Sequence, residues 1–488
     1  MRVVELLVIC AILPYLLWLS FGNGLPTSMF RWLPFVAAGL VIIHLFVERA
    51  RWQMGPVYLL VILVLISYPW CHSHNFRIRL TFMVMGWAAV LLLLGSATVA
   101  GGVLWPVFEF VPLTGPYPVG STSAHFIDHS RRDPYSPDKM ADREVMIQVW
   151  YPAETTGGFR RERYRDGTRS DYQDSSLALV ETRSFVDAPI ANAKPTYPLL
   201  LFTGPSNRFQ NTFETEEMAS HGFIVVAIDH PYDSDLVVFP DGRRVTASKE
   251  ACLLDFASDE ALAISRPKVE RRLAVRVADT RFVLDQLERW NGSDRTSRFF
   301  GRIDLNHIGM LGHSFGGAVT AEVCRIDPRV RAGVNMDGSM FGTSKINGVP
   351  KPFFFMFDAS ARPTKAELES PDSRARREAR ELLGDFDDID RSMSRYGGYF
   401  FQAPGLEHMN YTDYPLYSQW KPWSGAGKID IRRAHEITNR ITLAFLRREL
   451  LNDSSVSVEA TLRDFPGAVL RRQSPPIGAD HGSEYAIP

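Results

Sequence analysis

The sequence predicts an α/β fold, a mostly parallel β-sheet with helices on both faces, preceded by a bundle of four transmembrane helices. Three observations lead to this prediction. Apolar, strand-like runs alternate with helical stretches over roughly residues 113 to 450. One of these strand-to-helix junctions carries a serine between two glycines. The longest apolar stretches are all concentrated in the first 108 residues.

The N-terminal bundle is predicted from four apolar stretches of the 488-residue chain, at 6–20, 32–47, 56–70 and 80–107. About 20 apolar residues cross a bilayer, a length that the fourth stretch exceeds and the first three approach. The first stretch follows Arg2 and is similar to a secretory signal, but no A-x-A-like cleavage site follows it. We therefore expect residues 1–110 to form a multi-pass transmembrane region with the bilayer as its partner.

The predicted sheet is built from seven apolar runs, at 145–151, 198–202, 224–228, 308–311, 332–336, 353–357 and 399–402. Between them, the stretch 269–290 places Leu273, Val277, Leu284 and Leu287 at approximately helical spacing, which indicates a core-facing helix. We assign residues 111–452 to one domain. Residues 453–488, rich in Ser, Pro and Gly towards their end, are predicted to be a flexible tail.

Three polar insertions interrupt this alternation, at 154–194, 241–267 and 359–395. The second and third have the length and composition of lids over a binding site. Solvated surface insertions are the more common explanation for such segments.

Ser314 is the candidate nucleophile, within the sequence Gly312-His313-Ser314-Phe315-Gly316. The apolar run 308–311 is typical of a buried strand, and residues 318–324 are typical of the helix that follows. A Cβ at either glycine would collide with neighbouring backbone as the chain reverses over a nucleophile elbow. The pattern predicts a strained turn that exposes the serine hydroxyl.

A serine hydroxyl requires a histidine base and a carboxylate that orients the imidazole. In α/β-hydrolases these follow the serine in the order acid, then histidine, and the histidines after Ser314 are His408, His435 and His481. His408 lies just past the apolar run 398–402, in the loop after the last predicted strand, and is the best placed. His435 is predicted on a surface helix and His481 in the polar tail.

Two aspartates are candidates for the acid. Asp337 ends the apolar run at 332–336, and Asp358 ends the next one. Hydrolases of this architecture place the acid after either strand, so the spacing does not choose between them. Either residue also suits an ordinary turn.

The motifs of the chain resemble the plasma-type (group VII) platelet-activating factor acetylhydrolases and their bacterial relatives, within the α/β-hydrolase superfamily. The similarity includes "ASHGFIVVAIDHPYDSD" at 219–235, "IGMLGHSFGGA" at 308–318 and "GLEHMNYTDY" at 405–414. Further similar segments lie at 114–130, 143–152, 197–204, 331–342 and 441–450. The resemblance implies an α/β-hydrolase fold and a catalytic triad of Ser314, Asp337 and His408, and thereby prefers Asp337 to Asp358.

An oxyanion hole needs two N–H donors aimed at the developing negative charge. One is expected from the backbone of Phe315, directly after the nucleophile. The family usually has Ser-His-Gly after the strand matched by 199–202, whereas this chain has Thr203-Gly204-Pro205-Ser206. Proline has no N–H, so the match in this register assigns the second donor to Ser206.

These observations predict a membrane-anchored serine esterase that hydrolyses short-acyl esters, of phospholipids above all, through an acyl-serine intermediate. The alternatives are a general carboxylesterase, similar to polyester or dienelactone hydrolases, and an inactive hydrolase-like membrane protein with a binding or signalling role. We expect no cofactor and no metal, because histidine activates serine directly. The formal net charge of −1 does not suggest a nucleic-acid partner. We expect the hydrolase domain to be extracytoplasmic, because the resembled animal enzymes are secreted.

Overall fold

The computed structural model describes residues 3–21, 30–47, 54–71, 86, 107–165, 176–359, 362–418 and 424–474. The chain divides into two compact units, Met1–Pro106 and Val107–Pro488. The first contains three described helices, α1 (Val3–Phe21), α2 (Leu33–Val47) and α3 (Gly55–Cys71). They share an apolar cluster that includes Val8, Tyr15, Ala37 and Val61.

The predicted transmembrane bundle is wrong. Among the described residues, no helix combines the length and apolar character needed to cross a membrane. The helices α1, α2 and α3 have 19, 15 and 17 residues, which at 1.5 Å per residue gives at most roughly 28 Å, short of the 30 Å of a bilayer core. The predicted multi-pass membrane localisation is wrong for the same reason. The fourth apolar stretch, 80–107, lies almost wholly outside the described residues.

The second unit is built on one large sheet. Its strands are β1 (Val119–Arg132), β2 (Asp142–Pro152), β3 (Arg161–Arg163), β4 (Glu181–Val186), β5 (Tyr197–Thr203), β6 (Ile224–Asp229), β9 (Ile303–His313), β10 (Val330–Met336), β11 (Phe353–Met356), β12 (Gly398–Gln402) and β13 (Val469–Gln473). A separate hairpin pairs β7 (Leu236–Val238) with β8 (Arg244–Thr246). All seven predicted strands lie within this sheet or extend it by one residue.

The order across the sheet is β13-β12-β11-β10-β9-β5-β6-β2-β1-β4-β3. The six strands from β12 to β6 run parallel to their neighbours. Antiparallel strands continue the sheet at both ends, with β2 beside β6 and β13 beside β12. The predicted mostly parallel α/β sheet is therefore present.

Helices cover both faces of the sheet. They are α4 (Thr212–Ser220), α5 (Asp259–Gly292), α6 (Phe315–Ile326), α7 (Gly342–Asn347), α8 (Lys365–Leu368), α9 (Ser373–Tyr396), α10 (Ile431–Phe445) and α11 (Val458–Thr461). Strand β5 shows why its sequence is continuously apolar: Leu199 and Leu201 enter one buried cluster, and Leu200 and Phe202 enter the other. Alternate side chains of a strand point to opposite faces, and here both faces are buried.

The stretch predicted as a flexible tail contains ordered elements as far as it is described. Helix α11 contributes buried Val458 to the core, and Phe465 is also buried. Strand β13 pairs with β12 from Gly398 opposite Gln473 to Gln402 opposite Val469. These apolar side chains anchor the segment, and the Ser- and Pro-rich composition belongs to the residues after them.

Candidate active site

The candidate residues meet at one edge of the sheet. Strands β5, β9, β10, β11 and β12 are parallel, so their carboxyl ends share an edge, and in open α/β sheets ligands bind beyond that edge. Strand β9 ends at His313, β10 at Met336 and β12 at Gln402. Ser314, Asp337 and His408 each follow one of these ends, and all three line one cavity of about 380 Å³.

Ser314 lies in a strained turn between β9 and α6. Its backbone has φ 54° and ψ −125°, a conformation that non-glycine residues rarely adopt and that is found at functional sites. Its N–H donates to the carbonyl of Met336 at 2.8 Å, and its own carbonyl accepts from Gly317 at 2.8 Å. The turn is thus held from both sides.

The glycines around Ser314 are required by close backbone contacts. A Cβ added at Gly312 would lie 2.1 Å from the carbonyl oxygen of Gly316, and one added at Gly316 would lie 2.0 Å from that of Thr203. Gly338 is crowded in the same way, because its Cβ would lie 2.0 Å from the Ser314 carbonyl oxygen. The loop after β10 therefore packs directly against the serine turn.

Asp337 and His408 form a close pair. Asp337 Oδ2 lies 2.6 Å from Nδ1 of His408, and Asp337 Oδ1 accepts the backbone N–H of Asp358 at 2.9 Å. Burial lowers the pKa of His408, but the hydrogen bond and charge of Asp337 outweigh burial, and the net pKa is raised above 6.5. The imidazole side chain is 42% exposed. This is the arrangement of a histidine base oriented by a carboxylate.

Asp358, the alternative acid, also lines the cavity. Its contact with the pair is made by the backbone, which donates to Asp337. Its carboxylate acts on His408 through its charge, which raises the pKa of the imidazole. The structure thus brings Asp337, rather than Asp358, into hydrogen bonding with His408.

The other two histidines behave differently from His408. His435 was predicted on a helix surface, but it is buried. Its Nε2 donates to the carbonyl oxygen of Thr412 at 2.9 Å, and its ring stacks on Phe213 with 3.7 Å between the centroids. Burial lowers its pKa to about 4. The surface prediction was wrong because α10 turns this position towards α4. His481 lies outside the described residues.

The two predicted oxyanion donors, Phe315 and Ser206, differ in their position relative to the cavity. Of the two, Phe315 is among the described residues that line the cavity and Ser206 is not. The Ser206 N–H donates instead to Oε1 of Gln210 at 3.0 Å. A donor to an oxyanion must point at the reacting carbonyl, so in this conformation Ser206 does not offer its N–H to the cavity.

Gln210 and His313 connect this loop to His408. Nε2 of Gln210 lies 3.1 Å from Nδ1 of His313, and Nε2 of His313 lies 2.9 Å from the backbone oxygen of His408. Burial, followed by the charge of His408, lowers the pKa of His313 well below its ordinary value. A neutral imidazole that donates to the His408 carbonyl must accept from Gln210, and Gln210 then presents its oxygen to Ser206. The chain of hydrogen bonds therefore has one consistent direction.

A family model described as "Platelet-activating factor acetylhydrolase, isoform II" matches residues 108–459, more than half of the chain. The chain belongs to this family. The resemblance drawn from the sequence motifs is therefore confirmed.

Individual relatives agree with membership of the platelet-activating factor acetylhydrolase family. The platelet-activating factor acetylhydrolase of Cavia porcellus is 24% identical over 380 residues, which cover 69% of this chain and 77% of that protein. A probable 1-alkyl-2-acetylglycerophosphocholine esterase of Arthroderma benhamiae is 31% identical over 163 residues, 32% of this chain. The chain spans only 36% of the length of that fungal relative.

A solved structure also aligns with this chain. The ferulic acid esterase from Streptomyces cinnamoneus has a TM-score of 0.56 at 25% identity, and the alignment covers 74% of this chain and 98% of that one. The family and this neighbour agree with the predicted α/β-hydrolase fold.

Several residues of the site could not be found from the sequence. Two of the polar insertions supply walls of the cavity: Leu253, Leu254 and Phe256 come from 241–267, and Glu378, Glu381, Leu382 and Asp385 come from 359–395. Both segments were predicted only as polar insertions that suit lids or solvated surface loops, and the individual residues that reach the cavity were not identified. Gln210 carried no signal, because its role depends on a contact 103 residues away in the chain.

Proposed function

We propose that this protein is a serine esterase that cleaves short-acyl esters, of glycerophospholipids above all, through an acyl-Ser314 intermediate. The observation that carries the proposal is the His408–Asp337 contact of 2.6 Å at the cavity that Ser314 also lines. His408 takes the proton of the Ser314 hydroxyl and returns it to the leaving alkoxide. Asp337 holds the imidazole tautomer and stabilises the imidazolium as it forms.

The mechanism needs no metal to activate water, because histidine activates the serine and later the hydrolytic water. The Phe315 N–H is the proposed first oxyanion donor. Ser206 serves as the second donor once substrate draws its N–H away from Gln210. We therefore expect hydrolysis to be independent of calcium.

The nucleophile is tested with a fluorophosphonate probe on the full-length chain. We expect the wild type to be labelled and Ser314→Ala to remain unlabelled. Ser339 lines the same cavity, so Ser339→Ala is the matched control and keeps the label. A folded wild type that is not labelled would contradict the proposal and favour an inactive hydrolase-like protein.

The substrate is tested with a series of sn-2 esters of increasing acyl length, measured with and without EDTA. The names of the relatives support short-acyl glycerophospholipids, and we expect acetyl esters to be cleaved faster than long-chain ones. Equal rates on long chains would contradict the substrate class, and loss of activity in EDTA would contradict the metal-free mechanism.

A second candidate is a general carboxylesterase. It is favoured by the ferulic acid esterase neighbour and by four phenylalanines in the cavity wall, Phe256, Phe315, Phe341 and Phe357. Hydrolysis of methyl ferulate faster than of an acetyl glycerophospholipid would support this candidate over the first.

A further inference from the structure

The loop after β5 is held at both ends of the peptide bond that joins Pro205 to Ser206. The carbonyl oxygen of this peptide accepts from Nη2 of Arg276 at 3.1 Å. Its N–H donates to Oε1 of Gln210 at 3.0 Å. Because a peptide is planar, the Ser206 N–H turns towards the cavity only if the whole peptide rotates and releases Gln210.

The side-chain amide of Gln210 is buried and hydrogen-bonded at both of its polar atoms. Its Oε1 accepts from Ser206, and its Nε2 donates to Oδ1 of Asn211 at 3.1 Å and lies 3.1 Å from Nδ1 of His313. A Cβ at Gly204 would lie 2.3 Å from Gln210 Oε1, so a glycine is required there to leave room for the amide. The orientation of this amide is therefore fixed by its surroundings.

The partners of the amide extend to the loop that carries the histidine base. His313 contacts the carbonyl oxygen of His408 through Nε2 at 2.9 Å. Asn211 donates to the carbonyl oxygen of Tyr411 at 2.8 Å. Gln210 and these two partners thus connect the loop of the second predicted oxyanion donor to the loop of the base.

We propose that Gln210 is a positioning residue that holds the oxyanion loop, residues 203–206, in a closed state until the tetrahedral intermediate forms. In the closed state the Ser206 N–H donates to Gln210, and in the open state it donates to the oxyanion. Opening breaks the hydrogen bond to Gln210, so that bond reduces the net stabilisation which the oxyanion receives. This inference rests on the proposed esterase function and deepens its mechanism.

Two inhibitors separate the oxyanion hole from the rest of the binding site. With a short-chain trifluoromethyl ketone, the Ser314 oxygen bonds to the carbonyl carbon, the carbonyl π pair moves onto the carbonyl oxygen, and the serine proton passes to His408. The corresponding trifluoromethyl alcohol has the same shape but forms no oxyanion. The ratio of the two inhibition constants therefore measures the stabilisation of the oxyanion.

Gln210→Met tests the proposal, because methionine is close to glutamine in length and offers only a weak acceptor. We expect the ketone to bind about 5-fold more tightly than to the wild type, the size of one neutral hydrogen bond. We expect kcat/KM for p-nitrophenyl acetate to rise by a similar factor and the affinity for the alcohol to stay the same. Unchanged or weaker binding of the ketone would overturn the proposal.

Gln148→Met is the matched control. Gln148 is as deeply buried as Gln210, and its amide donates to Glu162, neither residue being among the described residues that line the cavity. We expect this variant to bind the ketone and the alcohol as the wild type does. An equal gain in ketone affinity in both variants would contradict a specific role of Gln210.

A crystal structure of the phosphonylated wild type tests the same inference without a substitution. The Ser314 oxygen replaces fluoride on the phosphorus of a fluorophosphonate, and a phosphonyl oxygen then stands in for the oxyanion. We expect the Ser206 N–H to donate to that oxygen and no longer to Gln210. A Ser206 N–H that still donates to Gln210 would overturn the inference, although the labelled serine would support the esterase function. A folded wild type that is not labelled would overturn the proposed function, and the inference with it.

Discussion

Two of the histidine–aspartate pairs in the second unit have opposite properties. In the candidate active site, His408 Nδ1 lies 2.6 Å from Asp337 Oδ2. In the interior, His230 directly follows β6, and its Nδ1 lies 2.9 Å from Oδ2 of Asp279 on α5. The pairing atoms are the same, so the difference between the pairs comes from their surroundings.

The interior pair is enclosed by charges and hydrogen bonds. Both of its side chains are inaccessible to solvent, and Asp279 also pairs with Arg143 at 2.6 Å and Arg131 at 3.0 Å. The second nitrogen of His230 is 3.0 Å from the Thr203 hydroxyl. Neither ring nitrogen of His230 is left for a substrate.

The pKa values of the two histidines are shifted in opposite directions. Burial and then the charge of Arg276 lower the pKa of His230 to about 4, in spite of Asp279. The pKa of His408 is raised, because Asp337 and Asp358 outweigh its burial. The two pairs therefore differ in that the Asp279 carboxylate is shared with arginines, whereas His408 lines a cavity.

The largest expected effect is at Asp337. We expect Asp337→Asn to lower kcat by about 10⁴, because the imidazole loses its tautomer control and its compensating charge. Asp358→Asn is the matched control and keeps most of the activity, since its hydrogen bond to the pair is made by the backbone. Steady-state rates on p-nitrophenyl acetate distinguish the two. A larger loss for Asp358→Asn would instead identify Asp358, which follows β11, as the acid of the triad.

We expect a substitution in the His230–Asp279 pair to lower the stability of the fold and to leave the catalytic rate unchanged. Asp279→Asn leaves the buried Arg143 short of a partner, and we expect the free energy of unfolding to fall by about 3–5 kcal/mol. Urea unfolding measures this loss, and kcat of the protein that remains folded should stay close to that of the wild type. Asp337→Asn is the control, with a loss of stability well below that of Asp279→Asn. Equal destabilisation by both variants would remove the distinction between the pairs.

The sequence predicted the sheet and the turn that carries Ser314 because these depend on local pattern, whereas the preference for Asp337 over Asp358 came from the family resemblance. Leu199 to Phe202 is apolar on both faces, and Gly312 and Gly316 mark a turn that no larger residue fits. The environment of a side chain depends on contacts distant in the chain, and there the predictions were incomplete. The burial of His435 and His230 could not be predicted from the sequence. No pattern near Ser206 indicated that its N–H donates to Gln210.

The N-terminal unit shows the same limit for length. The three described helices match the predicted apolar stretches to within three residues at each end, and α2 ends at Val47, as predicted. Their lengths of 19, 15 and 17 residues are nevertheless short of a bilayer core of about 30 Å. Apolar composition therefore predicted the positions of the three described helices, but the inference that they cross a membrane was wrong.

The smallest expected effect is on the pH profile of the reaction. It distinguishes the two histidine–aspartate pairs without unfolding the protein. His408 must be neutral to accept the serine proton, so kcat/KM for a neutral ester should fall as pH drops through the raised pKa of His408, with its midpoint above 6.5. His230 does not contribute to this limb, because its pKa is about 4.

Asp358 raises the pKa of His408 by its charge alone, so Asp358→Asn should move the midpoint towards lower pH while the plateau rate changes little. Measurement of kcat/KM from pH 5 to pH 9 in both proteins tests this. A midpoint that stays in place would mean that the Asp358 carboxylate does not act on His408, and a midpoint below 6.5 in the wild type would mean that burial, rather than Asp337, controls the base.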